Sequence, residues 1–128
     1  MDLIEQWKID AVCRPAVSIL HEAVVTGERI AHLGPRNDFA RITLRFEPAD
    51  EFSVSMDGIW ASKEISQFAK AAIFGVLDIL TTYASYPVLK VRVIVERIDT
   101  DEIDSSELAF RLAGRDATRK ALDQVMPR

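Results

Sequence analysis

Between Glu64 and Glu96 the hydrophobic period changes once, at Tyr86-Pro87, and that change limits the chain to folds that lay a helix against a sheet. Before it, EISQFAKAAIFGVLDILTTY carries Ile65, Phe68, Ala69, Ala72, Ile73, Val76, Leu77 and Leu80 on one broad apolar helix face. After it, VLKVRVIVE sets Leu89, Val91, Val93 and Val95 on one side and Lys90, Arg92 and Glu96 on the other, a strand buried on one face. The proline enforces the break, because the residue before it is pushed out of helical geometry. Ser62 is placed to cap the helix, with Glu64 in the first turn where the helix dipole favours an anion. Gly75 inside the helix costs about 1 kcal/mol relative to alanine, so it marks a close packing contact.

The flanking segments extend this pattern. From Ala16 to Leu33, branched residues cluster in VSIL and AVV, and Thr26-Gly27-Glu28 predicts the turn of a hairpin. A loop follows at Gly34-Pro35-Arg36-Asn37-Asp38. FARITLRFEP then alternates Ile42, Leu44 and Phe46 with Arg41, Thr43 and Arg45, a half-buried strand ended by Pro48. EFSVSM is a weaker strand closed by Asp57-Gly58. A second helix, about Ser105 to Val125, is expected to bury Leu108, Ala109, Leu112, Ala113, Ala117, Ala121 and Leu122. Strands, a helix, a strand and a helix make a two-layer α+β sandwich with one sheet face open.

With 128 residues and 48% hydrophobic content, one domain spanning residues 1–128 can bury a core without metals or disulfides. Cys13 is the single cysteine, so no internal disulfide can form. A net charge of −4 gives no global basic field to draw the chain to nucleic acid or anionic lipid. The start, MDLIEQWKID, lacks a basic segment followed by an apolar run, so no secretory signal is expected. The longest apolar run, Ala71 to Leu77, falls far short of the ~18 residues a membrane span needs. A soluble, cytoplasmic chain with no membrane role is expected.

The stretch IDTDEIDSSELAF gathers carboxylates before the second helix. A calcium loop counted from Asp99 would need an oxygen ligand, a glycine and a glutamate where Ile103, Asp104 and Phe110 stand, so it fails. Asp104 followed three positions later by Glu107 is a capping-box pattern, which assigns both to the helix start. Asp99, Asp101 and Glu102 are left to project from a solvated tip. No nucleophile or phosphate cradle lies nearby, and His21, His32 and Cys13 have no metal-ligand spacing, so no metal, cofactor or catalytic residue is expected.

Arg41 and Arg45 share one strand face, and Lys90 and Arg92 share one on another. If those strands are neighbours, the four residues form a basic patch able to meet phosphate. A solvated face of mixed charge, with Glu96 among them, is the other reading. Arg36 in the loop is a further candidate for RNA contact. Trp7, Trp60 and Phe39 are expected as packing anchors, and Trp7 near the terminus is a candidate partner contact.

Two of these segments carry a family resemblance. YPVLKVRV, followed after a short loop by IDSSELAFRLAGRDATRKAL, resembles domain IV of translation elongation factor G. The matching residues are Tyr86, Pro87, Val88, Asp104, Ser105, Ser106, Glu107, Leu108, Ala109 and Phe110. LGPRNDFARITLRFEP is similar to that family's glycine-rich loop and following strand, and the resemblance covers about residues 14–122. It implies the fold of the second domain of ribosomal protein S five, in the order β3-α-β-α with a left-handed crossover. It also implies a tip made of two loops, Gly34–Phe39 and Asp99–Ile103, which in the full factor reach the decoding centre of the small subunit and touch tRNA and mRNA. Asp101 stands where the family carries a histidine. The loop keeps Gly34 and Arg36, while Pro35, Asn37, Asp38, Phe39 and Ala40 depart from the family pattern. An acidic tip is repelled by phosphate. No GxxxxGK[ST] loop occurs, so GTP binding and translocase activity are not expected. The implied function is a non-enzymatic, stand-alone module associated with the small ribosomal subunit or RNA. The alternative is a module that binds another protein or dimerises.

Overall fold

Gly27, the centre of the expected hairpin turn, lies in the middle of a strand. The computed structural model describes residues 3–4, 16–34, 36–56 and 63–126, without the side chains of Leu33 and Arg36. Trp7, Cys13, Trp60, the Asp57-Gly58 stop and the Ser62 cap lie outside them. Strand β1 runs Ala23–Leu33, β2 Arg36–Pro48, β3 Ser53–Ser55 and β4 Val91–Asp99. Helix α1 is Lys63–Leu80 and α2 is Glu107–Val125. The sheet order is β1-β2-β4-β3. β1–β2 and β2–β4 are antiparallel, whereas β3 and β4 are parallel and joined through α1. This is the expected α+β sandwich of three strands, a helix, a strand and a helix.

Gly27 pairs with Ile42, and α2 presses on β1 there. A Cβ on Gly27 would sit 2.1 Å from the Ala113 carbonyl oxygen and 2.6 Å from the Ala117 Cβ. Glycine in a strand therefore marks a close approach of two backbones. The real hairpin turn comes later, where Leu33 faces Arg36 and Gly34 takes a φ of 77°. The expected loop Gly34–Asp38 is correspondingly shorter, and Asn37, Asp38 and Phe39 belong to β2. VSIL is not a strand either. It contributes one bridge, Ser18 to Lys90, and the buried Ile19.

The inward faces of β1, β2 and β4 meet both helices in one core. Ile42, Leu44, Phe46, Val91 and Val93 are fully buried beneath Ala113, Ala117, Ala121, Leu122 and Ile73. Helix α2 buries Phe110, which the expected face omitted, and leaves Leu108 56% exposed. The small residues Ala109, Ala113 and Ala117 let α2 lie close on the sheet, and Phe110 then turns toward α1. There its ring stacks on Phe68 with centroids 4.9 Å apart.

At the helix crossing, Asp78 of α1 takes two bonds from Arg111, at 2.8 and 2.9 Å, and one from Arg115 at 2.9 Å. These bonds, Arg111 first, hold the Asp78 carboxyl below its ordinary range despite partial burial. A depressed carboxylate adds stability above its unfolded pKa and loses it as pH falls through the folded value. Asp78→Asn is therefore expected to cost on the order of 1 kcal/mol at pH 7, the size appropriate to a part-exposed pair. In urea titrations the gap from the parent should close toward pH 3. An equal gap at both pH values would rule out a charge effect.

Candidate functional site

The strand register decides what the open sheet face carries. Residues of β1 and β2 that point away from the helices face each other as Val24–Arg45, Thr26–Thr43, Glu28–Arg41 and Ile30–Phe39. On β4 a register shift opposite Thr43–Leu44 leaves Glu96 and Arg97 both exposed. Arg41 and Arg45 lie on β2 and Arg92 on its neighbour β4, with Lys90 just before that strand. The fold also sets a carboxylate against each of these guanidinium groups.

Arg41 donates to Glu28 at 2.9 Å and lies 5.5 Å above the Phe39 ring. Arg45 donates to Glu96 at 2.6 Å and also to Glu22. The Glu96 bond, ahead of the Glu22 charge, raises the Arg45 pKa further above its already high value. Arg92 stands 3.9 Å from Glu47, and Arg97 pairs with Asp99 at 3.0 Å. Thus the face is a lattice of exposed ion pairs in which Arg41, Arg45 and Arg92 each have a carboxylate partner, the mixed-charge arrangement of the two read from the sequence. Each pair on such a surface is worth only about 0–1 kcal/mol, but phosphate would still have to compete with a carboxylate already in place. Lys90 remains exposed with no carboxylate beside it among the described residues. Glu22, Glu28 and Glu47 were missed in the sequence because cross-strand partners follow from register, although Glu28 and Glu47 fall on the exposed positions of their strands.

The tip is built by one serine. The Ser105 hydroxyl donates to the Phe39 carbonyl at 2.7 Å and accepts the Asp101 N–H at 2.8 Å. The Phe39 N–H donates to the Asp104 carbonyl at 3.0 Å. These bonds latch the loop after β4 to β2 where β4 has ended, so the two tip segments of the sequence lie side by side. Asp101 is turned inward on its own loop, its Oδ1 accepting the N–H groups of Ile103 and Asp104 at 2.9 Å each. The Asp104 bond, then the Ile103 bond, lower its pKa. Glu102 is exposed, and Ile103 is 89% exposed.

Asp104 is not the helix cap. Ser106 is, with extended backbone and its side chain accepting the Ala109 N–H at 3.0 Å. Asp104 instead gives backbone to the latch, and Glu107 stays in the first turn as an anion at the positive end of the helix. Both serines of DSSE thus have separate duties, one latching the loop and one capping the helix. Asp38 of β2 is buried against Arg29 at 3.3 Å and is no part of a loop. The Arg36 backbone sits at the start of β2, beside the turn.

Among the described residues, no group of three or more His, Cys, Asp or Glu is placed to hold a metal. His21 donates to the Glu22 carbonyl and His32 to Asn37. Also among them, no helix is long and apolar enough to cross a membrane.

The chain is similar to known proteins along most of its length. Residues 17–125 match the family described as Elongation factor G, domain IV. Elongation factor G of Dehalococcoides mccartyi strain BAV1 is 30% identical over 137 aligned residues, covering 98% of this chain. That of Thermotoga maritima is 29% identical, covering 86%. The chain spans only 19% and 17% of the lengths of these relatives. A crystal structure of a protein from Thermus thermophilus superposes with a TM-score of 0.71 at 27% identity, covering 86% of this chain and 17% of that one.

Proposed function

The chain belongs to the elongation factor G domain IV family, and from that premise we propose that it is a non-enzymatic binding module that docks on the small ribosomal subunit through its tip. Family membership makes it a translation-related module. The observation that carries the finer reading is the latch at Ser105, which joins the two tip segments that the resemblance assigns to ribosomal contact. No GxxxxGK[ST] loop lies in these 128 residues, so GTP hydrolysis is not their contribution. The working compartment is then the cytoplasm, where ribosomes are. Arg36 beside the turn is the residue proposed to meet RNA, whereas Arg41, Arg45 and Arg92 are engaged by carboxylates and serve the face itself.

A second reading, a protein partner on the open face, is favoured by one observation. Val24 is 49% and Ile30 45% exposed on a face whose charges already neutralise one another.

Co-sedimentation with purified small subunits, at low and high salt, separates the two. Docking through the tip predicts pelleting at low salt that falls severalfold at high salt, because charged contacts are screened. Arg36→Ala should weaken it, while neutralising Arg41 and Arg45 should change it little. No pelleting at low salt would end the ribosome reading. A salt-tolerant complex with another protein would transfer the function to the open face.

A further inference from the structure

The outer edge of β1 is an 11-residue strand edge with no further strand beside it among the described residues. Exposed edges of this kind template pairing with another chain unless something blocks them. Here two side chains of α2 do so. The Glu28 N–H donates to Asp116 Oδ2 at 3.0 Å, and the Lys120 ammonium donates to the Thr26 carbonyl at 3.0 Å. Asp116 and Lys120 lie one helical turn apart and also pair with each other at 3.0 Å. They reach the edge because α2 crosses β1 at Gly27, directly between the two backbone groups they hold.

These two bonds reproduce a strand partner. Backbone groups along a strand face its two edges alternately, so the outward groups of Thr26 and Glu28 imply outward groups on Val24 and Ile30. Pair β1 antiparallel with itself about Gly27, and Glu28 N–H meets the Thr26 carbonyl of the second copy. Those are the groups Asp116 and Lys120 now occupy. The same register lays Val24 on Ile30 of the second copy, so these two exposed hydrophobics cover each other across the new strand pair.

We propose that β1 is a self-complementary pairing strand for a second copy of this chain, and that the Asp116–Lys120 pair is the lock that keeps it closed. The edge is distinct from the tip, so its fate is independent of ribosome docking.

The test is the mass in solution of Asp116→Ala/Lys120→Ala, measured by light scattering across a concentration series. Both side chains are part-exposed and form surface pairs of small worth, so the variant should fold. The parent is expected to be monomeric and the variant to reach twice the monomer mass. Adding Ile30→Lys, which sets a charge against Val24 of the second copy, should return the monomer. A folded variant that stays monomeric at its highest soluble concentration overturns the proposal. So does a parent that is already dimeric through β1, or a dimer indifferent to Ile30→Lys. Amide exchange of the parent reads the lock without any substitution: Glu28 should exchange at least tenfold more slowly than Ile30. Equal rates for the two would mean no lock exists.

Discussion

Gly114→Ala should lower the stability of this protein by about 1–2 kcal/mol in urea titration, although alanine is the better helix former. An ordinary interior site would gain about 1 kcal/mol from the same change. Here the helices cross so closely that a Cβ on Gly114 would stand 2.1 Å from the Ala72 carbonyl oxygen. A Cβ on Gly75 would meet the Arg111 carbonyl oxygen at 2.0 Å. The obstacle is backbone in both cases and cannot swing aside like a side-chain tip. Relief requires α1 and α2 to separate, which would also stretch the bonds from Arg111 and Arg115 to Asp78 and loosen the rings of Phe68 and Phe110. Overpacking of that kind costs about 1–3 kcal/mol or more, enough to reverse the propensity gain. Gly75→Ala should lose a similar amount. The double variant should lose less than the sum, since one displacement relieves both contacts. A Gly114→Ala protein as stable as the parent would show that the helix pair slides freely, and the packing account would fall with it.

The largest single loss is expected from Phe110→Ala, about 3–5 kcal/mol. Phe110 is fully buried, its ring stacks on Phe68 at an interplanar angle of 17°, and it stands one residue from Ala109 at the first turn of α2. Removing it takes away apolar burial and leaves a cavity that two helices and a sheet cannot all collapse to fill. A domain of this size has about 5–15 kcal/mol in total, so this is a large share of the whole. Phe110→Leu keeps most of the volume and should cost below about 2 kcal/mol. Denaturant midpoints of the two variants decide the matter. If the leucine variant loses as much as the alanine variant, retained volume does not help and the cavity account fails.

Much of this architecture was legible residue by residue. The period change at Pro87 announced α1 and β4, and the alternation in FARITLRFEP announced β2, because burial on one side of an element writes its own period into the chain. Gly75 signalled close packing for the same reason: a glycine that weakens a helix must be kept for what lies against it. The resemblance at YPV and DSSELAF then set the order of elements and the position of the two tip segments.

The features misread depended on neighbours distant in the chain. Thr26-Gly27-Glu28 has the composition of a turn, yet Gly27 is needed where α2 lies on the strand, and no local signal separates the two cases. Asp104 and Glu107 have the spacing of a capping box, but the latch to Phe39 draws the loop one way and leaves Ser106 at the cap. Leu108 sits on the apolar pattern and is exposed, because the alanine face meets the sheet and Phe110 meets α1. The charge of the open face was left between two readings, and register decided for the mixed one by setting carboxylates against Arg41, Arg45 and Arg92.

The sequence alone, then, determined α1, β2 and β4 and which side of each is apolar, since those depend on spacings of a few residues. Tertiary structure alone decided the charge of the open face, the latch that assembles the tip and the closure of the β1 edge by Asp116 and Lys120. Each of these requires side chains from separate elements to meet, and the register and crossing that bring them together exist only once the chain has folded.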